Sequence, residues 1–127
     1  MKISFDFDDT LSTRRVQLFA LSCKRKGHDV HIVTSRMSNE RAGNPNWNDD
    51  LYIVADVVEI PKENIHFCNL KPKHEFFLEN SDFDAHLDDD PDDIQGINYH
   101  CETTAGVLFV DNIKDTSFKI LEGLLND

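Results

Sequence analysis

The residues of this chain best suited to chemistry are two aspartates near its N-terminus. Asp6 and Asp8 lie at the end of a short hydrophobic segment, residues 2–7, that is predicted to form a strand. Because side chains alternate along a strand, their spacing predicts that both carboxylates face one crevice. The same spacing recurs elsewhere in this Asp-rich chain, at Asp82/Asp84 and Asp88/Asp90. The position of Asp6 and Asp8 is a stronger argument than their spacing. Carboxylates at the end of a hydrophobic strand are partly desolvated, and such carboxylates normally bind a metal or form hydrogen bonds.

A second acidic group follows the predicted strand 83–87, as a run of aspartates interrupted by one proline. Part of this run has a structural explanation, because Asp90 suits the N-cap and Pro91 the first position of a helix. Asp88 and Asp89 are left without a local structural role. Their hard oxygen ligands suit Mg²⁺.

Hydroxyl and cationic side chains follow another predicted strand, residues 30–33. Thr34 and Ser35 are hydroxyl donors suited to a phosphoryl oxygen, and the Arg36 guanidinium is suited to bidentate contact. Taken alone, a Ser or Thr at a strand end is more often a helix cap.

Two lysines, Lys71 and Lys73, flank a proline at the start of the predicted helix 73–79. Either one would hold an ammonium group near the strand ends. Taken alone, lysines at a helix start are more often solvated.

Strands and helices alternate along the chain. The predicted strands cover residues 2–7, 30–33, 65–68, 83–87 and 107–110, and the predicted helices cover 14–26, 48–58, 73–79 and 116–125. Right-handed crossovers between parallel strands place helices on both faces of a sheet. We therefore predict an α/β fold, a three-layer α/β/α sandwich around a mostly parallel five-stranded sheet. Ligands of such sheets bind outside the carboxyl ends of the strands, where the polar residues above lie.

The length of 127 residues predicts one domain, residues 1–127, with a single core. The hydrophobic fraction of 39% suits a globular protein, and no apolar run is long enough to span a membrane. Acidic residues interrupt the N-terminal segment before a secretory signal could form, which predicts a cytoplasmic location.

The net charge of −11 arises from 24 acidic and 13 basic residues. This balance disfavours non-specific attraction to nucleic acid phosphates or to anionic lipid. It is compatible with a site that binds a divalent cation.

Together these features resemble the haloacid dehalogenase superfamily of phosphohydrolases, in the family's order from Asp6 to about Asp93. The family's motifs are an Asp-x-Asp-x-Thr strand end, a Ser or Thr after the next strand, a Lys before a helix and an acidic pair. The matching residues are Asp6, Asp8 and Thr10, then Thr34, then Lys73 or Lys71, and finally Asp88 and Asp89. Asp9 stands where many members have Gly. Lys73 is favoured as the motif lysine, although Lys71-Pro72 also matches a variant of the motif.

The resemblance implies an aspartyl-phosphate mechanism. Asp6 would attack phosphorus, and Asp8 would protonate the leaving group and later deprotonate water. The implied Mg²⁺ ligands are Asp6, the Asp8 carbonyl, Asp88 and Asp89. Thr34 and Lys73 would compensate phosphoryl charge, and the residues assigned to substrate binding are Thr10, Ser35, Arg36 and Lys71.

The gaps between motifs are too short for a sizeable cap domain, so the chain resembles a capless phosphatase. The expected substrate is a nucleotide or another small phosphorylated metabolite rather than nucleic acid, with no membrane partner. Three alternatives remain: a phosphatase of polynucleotide ends, a catalytically idle binding or regulatory module, and a receiver-like phosphoacceptor. The sequence leaves open whether the chain forms a homo-oligomer.

Overall fold

The computed structural model describes residues 1–112 and 116–126. Its strands are β1 Lys2–Phe5, β2 Asp29–Thr34, β3 Ile65–Phe67, β4 Ala85–Asp88 and β5 Ala105–Leu108. Its helices are α1 Arg14–Arg25, α2 Asn39–Ala42, α3 Asp49–Val57, α4 Lys73–Glu79, α5 Pro91–His100 and α6 Ser117–Leu125. Within the described part of the chain, no helix is both long enough and apolar enough to cross a bilayer.

The strands form one sheet in the order β3-β2-β1-β4-β5, and every strand pairing described is parallel. The predicted α/β fold is confirmed. The chain runs from β1 outward to β3 on one side, then crosses back to add β4 and β5 on the other. Beyond the carboxyl ends of β1 and β4, this reversal opens the crevice in which such folds bind ligands.

Helices cover both faces of the sheet. Helices α1, α3 and α6 pack on the face that carries Ile3 and Phe5, whereas α4 and α5 pack on the other face. Helix α1 forms because Val16, Ala20 and Cys23 recur at helical spacing and are buried together. The alternation of side chains directs Ser4 and His86 to the α4/α5 face.

Strand β1 ends at Phe5, so the prediction that it extends to residue 7 is wrong. The chain instead makes a single wide turn, Phe7–Leu11, in which Leu11 N–H donates to Asp6 O at 3.0 Å. Asp9 has a φ of 58° within this turn. The strand alternation argument therefore does not apply to Asp8, which is exposed.

No helix was predicted between β2 and α3, but this segment contains α2. Ser38 caps this helix by accepting a hydrogen bond from Arg41 N–H at 3.2 Å, and Gly43 ends it with a φ of 68°. The predicted cap of α5 is confirmed, because Asp90 accepts a hydrogen bond from Asp92 N–H at 2.9 Å.

Candidate functional site

Three carboxylates converge at the carboxyl ends of β1 and β4. The register pairs Phe5 with Leu87, so the next residues along the two strands, Asp6 and Asp88, become neighbours. Asp6 N–H donates to Leu87 O at 2.9 Å and continues this pairing beyond β1. One carboxylate oxygen from each of Asp6, Asp88 and Asp89 lies within 4.8 Å of the other two.

Lys73 lies between two of these carboxylates. It is the first residue of α4 and only 1% exposed. Its Nζ donates to Asp6 Oδ1 at 2.7 Å and to Asp88 Oδ2 at 2.5 Å. Lys71 is exposed and lines a separate cavity, so of the two predicted lysines it is Lys73 that the fold places in the crevice.

The electrostatics of this group follow from burial and crowding. Burial raises the pKa of Asp6 to about 8, and the neighbouring Asp88 adds to the rise while Lys73 opposes it. Burial also acts to raise the pKa of Asp88, but His86 and Lys73 outweigh it and hold that pKa well below its usual range. Burial opposes the charge of Lys73, yet Asp6 and Asp88 raise its pKa.

The three carboxylates could hold a divalent cation. Carboxylate oxygens are the ligands that Mg²⁺ prefers, and Lys73 pairs with the two buried members of the set, Asp6 and Asp88. The Asp8 carboxylate is not part of this set, although Asp8 lines the crevice. The resemblance had assigned the backbone carbonyl of Asp8, not its side chain, to the metal.

Asp8 is bound by Arg36. Arg36 donates from Nε to Asp8 Oδ2 at 2.9 Å and from Nη2 to Asp8 Oδ1 at 2.8 Å. The same guanidinium donates to both oxygens of Asp50, at 2.8 and 2.9 Å, and lies over the Phe7 ring. The hydrogen bond from Arg36 lowers the pKa of Asp50. Arg36 therefore bridges the crevice and the start of α3.

The predicted hydroxyl residues have different surroundings. Ser35 lines the crevice, whereas Thr34 is fully buried and accepts a hydrogen bond from Arg36 N–H at 3.2 Å. Thr10 is also buried, and its hydroxyl lies 3.0 Å from Asp89 Oδ1 and 3.4 Å from Asp6 Oδ2. Thr10 therefore positions carboxylates, and Ser35 is the hydroxyl available to a ligand.

Sequence reasoning missed two buried residues behind Asp88. His86 Nε2 lies 2.9 Å from Asp88 Oδ2, and Ser4 Oγ lies 2.8 Å from His86 Nδ1. A carboxylate can only accept, so His86 Nε2 carries the ring proton and donates it to Asp88. His86 Nδ1 is then the acceptor for the Ser4 hydroxyl. Burial lowers the pKa of His86. Alternation along β4 could have identified His86, since it lies two residues before Asp88.

The crevice has a volume of about 220 Å³. Its lining includes Asp93 and also Asp90, which was interpreted from the sequence as a helix N-cap. Comparison of the chain with protein-family models, curated proteins and solved structures finds no significant match. A function for the site is therefore inferred from its own geometry.

Proposed function

We propose that this chain is a Mg²⁺-dependent phosphohydrolase that acts on phosphomonoesters through an aspartyl phosphate on Asp6. The observation that carries the proposal is the buried contact of Asp6 with Lys73 at 2.7 Å, beside Asp88 and Asp89. An acidic nucleophile that attacks a phosphate ester needs nearby positive charge, because two anions repel each other. The resemblance to the haloacid dehalogenase superfamily supports the same interpretation.

In the first step a carboxylate oxygen of Asp6 attacks phosphorus, and the bond between phosphorus and the leaving oxygen breaks. The Lys73 ammonium, in contact with Asp6, offsets negative charge on the transferring group. Ser35 lines the crevice as a hydrogen-bond donor for a phosphoryl oxygen. Mg²⁺ held by Asp6, Asp88 and Asp89 would supply further positive charge against the phosphoryl oxygens.

Asp8 is the candidate acid and base. It would give a proton to the leaving oxygen and then take one from the water that hydrolyses the aspartyl phosphate, which releases inorganic phosphate and restores Asp6. Both oxygens of Asp8 accept hydrogen bonds from Arg36. These bonds leave a second lone pair on each Asp8 oxygen, which can carry the proton while Arg36 fixes the orientation of the carboxylate.

A receiver-like phosphoacceptor is the less favoured alternative. Receivers have the strand order 2-1-3-4-5, which differs from the order found in this sheet. The residues that follow β3 are Cys68, Asn69 and Leu70, none of which is the carboxylate that a receiver phosphorylates after its third strand. An idle module is disfavoured because Asp6 and Asp8 are both present.

The test compares hydrolysis of p-nitrophenyl phosphate by the wild type and by Asp6→Asn, with Mg²⁺ and with EDTA. We expect Mg²⁺-dependent turnover that falls at least about a thousandfold in Asp6→Asn. Asp82→Asn is the matched control, because Asp82 has the same spacing to a second aspartate but is exposed and pairs with Lys2. The phosphorylated intermediate should be trapped on the peptide that contains Asp6 and should be labile to hydroxylamine.

If the wild type and Asp6→Asn show no metal-dependent difference in turnover, the proposed enzymatic activity is refuted. A phosphoaspartate that forms from acetyl phosphate but is not hydrolysed would instead favour the receiver.

A further inference from the structure

We propose that a second cavity, adjoining the crevice, binds the base and sugar of a nucleoside monophosphate. This cavity has a volume of about 580 Å³, within the usual range for small-molecule sites. Its apolar side chains are Met37, Trp47 and Leu70. The inference rests on the proposed function, because it assigns the leaving group of that reaction.

One wall of the cavity is a loop fixed by backbone hydrogen bonds. Asn69 N–H donates to Arg36 O at 3.1 Å, and Leu70 N–H donates to Ser35 O at 2.8 Å. Leu70 has a φ of 69°, a left-handed conformation that residues with side chains seldom adopt, and it is 71% exposed. A fixed loop that holds an apolar side chain outward at a conformational cost indicates a surface with a function.

The loop that carries Trp47 is anchored by the next residue, Asn48, which is fully buried. Nδ2 of Asn48 donates to Met37 O at 3.0 Å and to Asn39 Oδ1 at 2.8 Å. Both walls are therefore held in place without a ligand. A preformed cavity loses little conformational entropy when a ligand binds.

The cavity and the crevice adjoin at the ion pair of Arg36, which lines the cavity, with Asp8, which lines the crevice. Ser35 lines the crevice, and Arg36 lines the cavity while its guanidinium binds Asp8. A phosphate ester with its phosphoryl group against Asp6 and Lys73 would extend its leaving group past Arg36 into the cavity.

The chemistry of the walls matches a nucleoside. Trp47 is about half exposed and offers a ring face, on which any nucleobase can stack. Asp49 and Asp50, which also line the cavity, accept hydrogen bonds from ribose hydroxyls or exocyclic amino groups. The same carboxylates repel further phosphates, which favours a monophosphate over a nucleoside triphosphate or a polynucleotide.

Trp47 is the single tryptophan of the chain, so its fluorescence reports on this cavity directly. The binding arm titrates Asp6→Asn, which blocks turnover, with adenosine monophosphate and with ribose 5-phosphate, which lacks the base. We expect adenosine monophosphate to change the Trp47 emission and to bind about tenfold more tightly than ribose 5-phosphate. In the double variant Asp6→Asn/Leu70→Ala, most of this difference in affinity should be lost. Leu78→Ala is the matched control, because Leu78 is an exposed leucine of α4 that does not line the cavity.

The kinetic arm measures kcat/KM of the wild type, Leu70→Ala and Leu78→Ala for both phosphates. We expect Leu70→Ala to lower kcat/KM for adenosine monophosphate about tenfold and to lower kcat/KM for ribose 5-phosphate much less, because ribose 5-phosphate has no base to bury against Leu70. Equal kcat/KM for the two phosphates, with no effect of Leu70→Ala, would overturn the nucleoside site. The proposed phosphatase activity would be unaffected by that result. Base-dependent binding without any turnover would support the nucleoside site and refute the phosphatase. A Leu70-dependent preference for p-nitrophenyl phosphate over adenosine monophosphate would overturn the nucleoside assignment.

Discussion

Buried hydrogen bonds link Ser4 to the candidate nucleophile, through His86, Asp88 and Lys73. Among the described residues, no buried side-chain nitrogen or oxygen lacks a hydrogen-bond partner. A linked network of this kind fixes the orientation of each member, because a member that rotates leaves its neighbour without a partner. The orientation of the Asp88 carboxylate therefore depends on a residue that cannot itself reach a substrate.

The first prediction concerns His86. His86→Leu removes the donor to Asp88 and leaves the Ser4 hydroxyl buried without its acceptor, which should lower the free energy of unfolding by about 1–3 kcal/mol. Loss of a hydrogen bond to a metal-ligating group typically weakens metal binding about 10–100-fold. Urea unfolding and Mg²⁺ calorimetry measure the two effects.

The matched variant is His86→Gln, whose amide N–H can still donate to Asp88. It should recover part of the Mg²⁺ affinity, whereas a purely structural role for His86 predicts the same Mg²⁺ affinity for both variants. Ser4→Ala should affect Mg²⁺ binding less than His86→Leu does, since Asp88 keeps its donor.

At the scale of elements, the segment between β2 and α3 carries one side of the second cavity. Its helix α2 has only four residues, which is too short to be stable by itself, so packing and side-chain hydrogen bonds must hold it. This is also why no helix was predicted here, because a single helical turn gives no hydrophobic periodicity. Asn48, the buried anchor of the segment, was interpreted as the start of a helix.

The second prediction tests this anchor. Asn48→Ala removes the hydrogen bonds to Met37 and Asn39 and should lower the free energy of unfolding by about 2 kcal/mol. It should also speed tryptic cleavage after Arg41, an exposed residue of α2, because the segment opens more often. Urea titration and mass spectrometry of early tryptic fragments provide the measurements. Asn46→Ala, an exposed asparagine in the same segment, should leave both quantities near the wild-type values.

For the molecule as a whole, alternating strands and helices were sufficient to predict the architecture. The positions of Asp6, Lys73 and Asp88 near the carboxyl ends of the strands could also be predicted, because parallel strands bring these ends together. Two features could not be predicted from the sequence: the contacts of Arg36, and the presence of Ser35 rather than Thr34 in the crevice. The contact of Arg36 with Asp8 depends on where β1 stops and how the following turn runs, and the position of Ser35 depends on β2 continuing through Thr34. These strand ends are decided by tertiary packing rather than local pattern.

The last prediction concerns acid stability. His31 and His66 are hydrogen bonded between β2 and β3 at 2.9 Å, and Asp29 lies 2.9 Å from the other ring nitrogen of His31. Burial lowers the pKa of His66 from 6.5 to about 4, helped by His31 and Lys2 and opposed by Asp29. Between these pH values the unfolded chain binds more protons, so His66 stabilises the fold fully above pH 6.5 and loses that contribution as the pH falls toward 4.

Because His66 is only partly buried, we expect a contribution of about 1–2 kcal/mol rather than the full value of the shift. Urea unfolding of the wild type and of His66→Gln from about pH 7.5 to about 4.5 isolates the contribution of His66 to the free energy of unfolding, since the other groups titrate in both proteins. The wild type should lose about 1–2 kcal/mol more than His66→Gln over this range, and His100→Gln, which changes an exposed histidine, should follow the wild type. Parallel curves for the wild type and His66→Gln would mean that the histidine pair does not contribute to acid sensitivity.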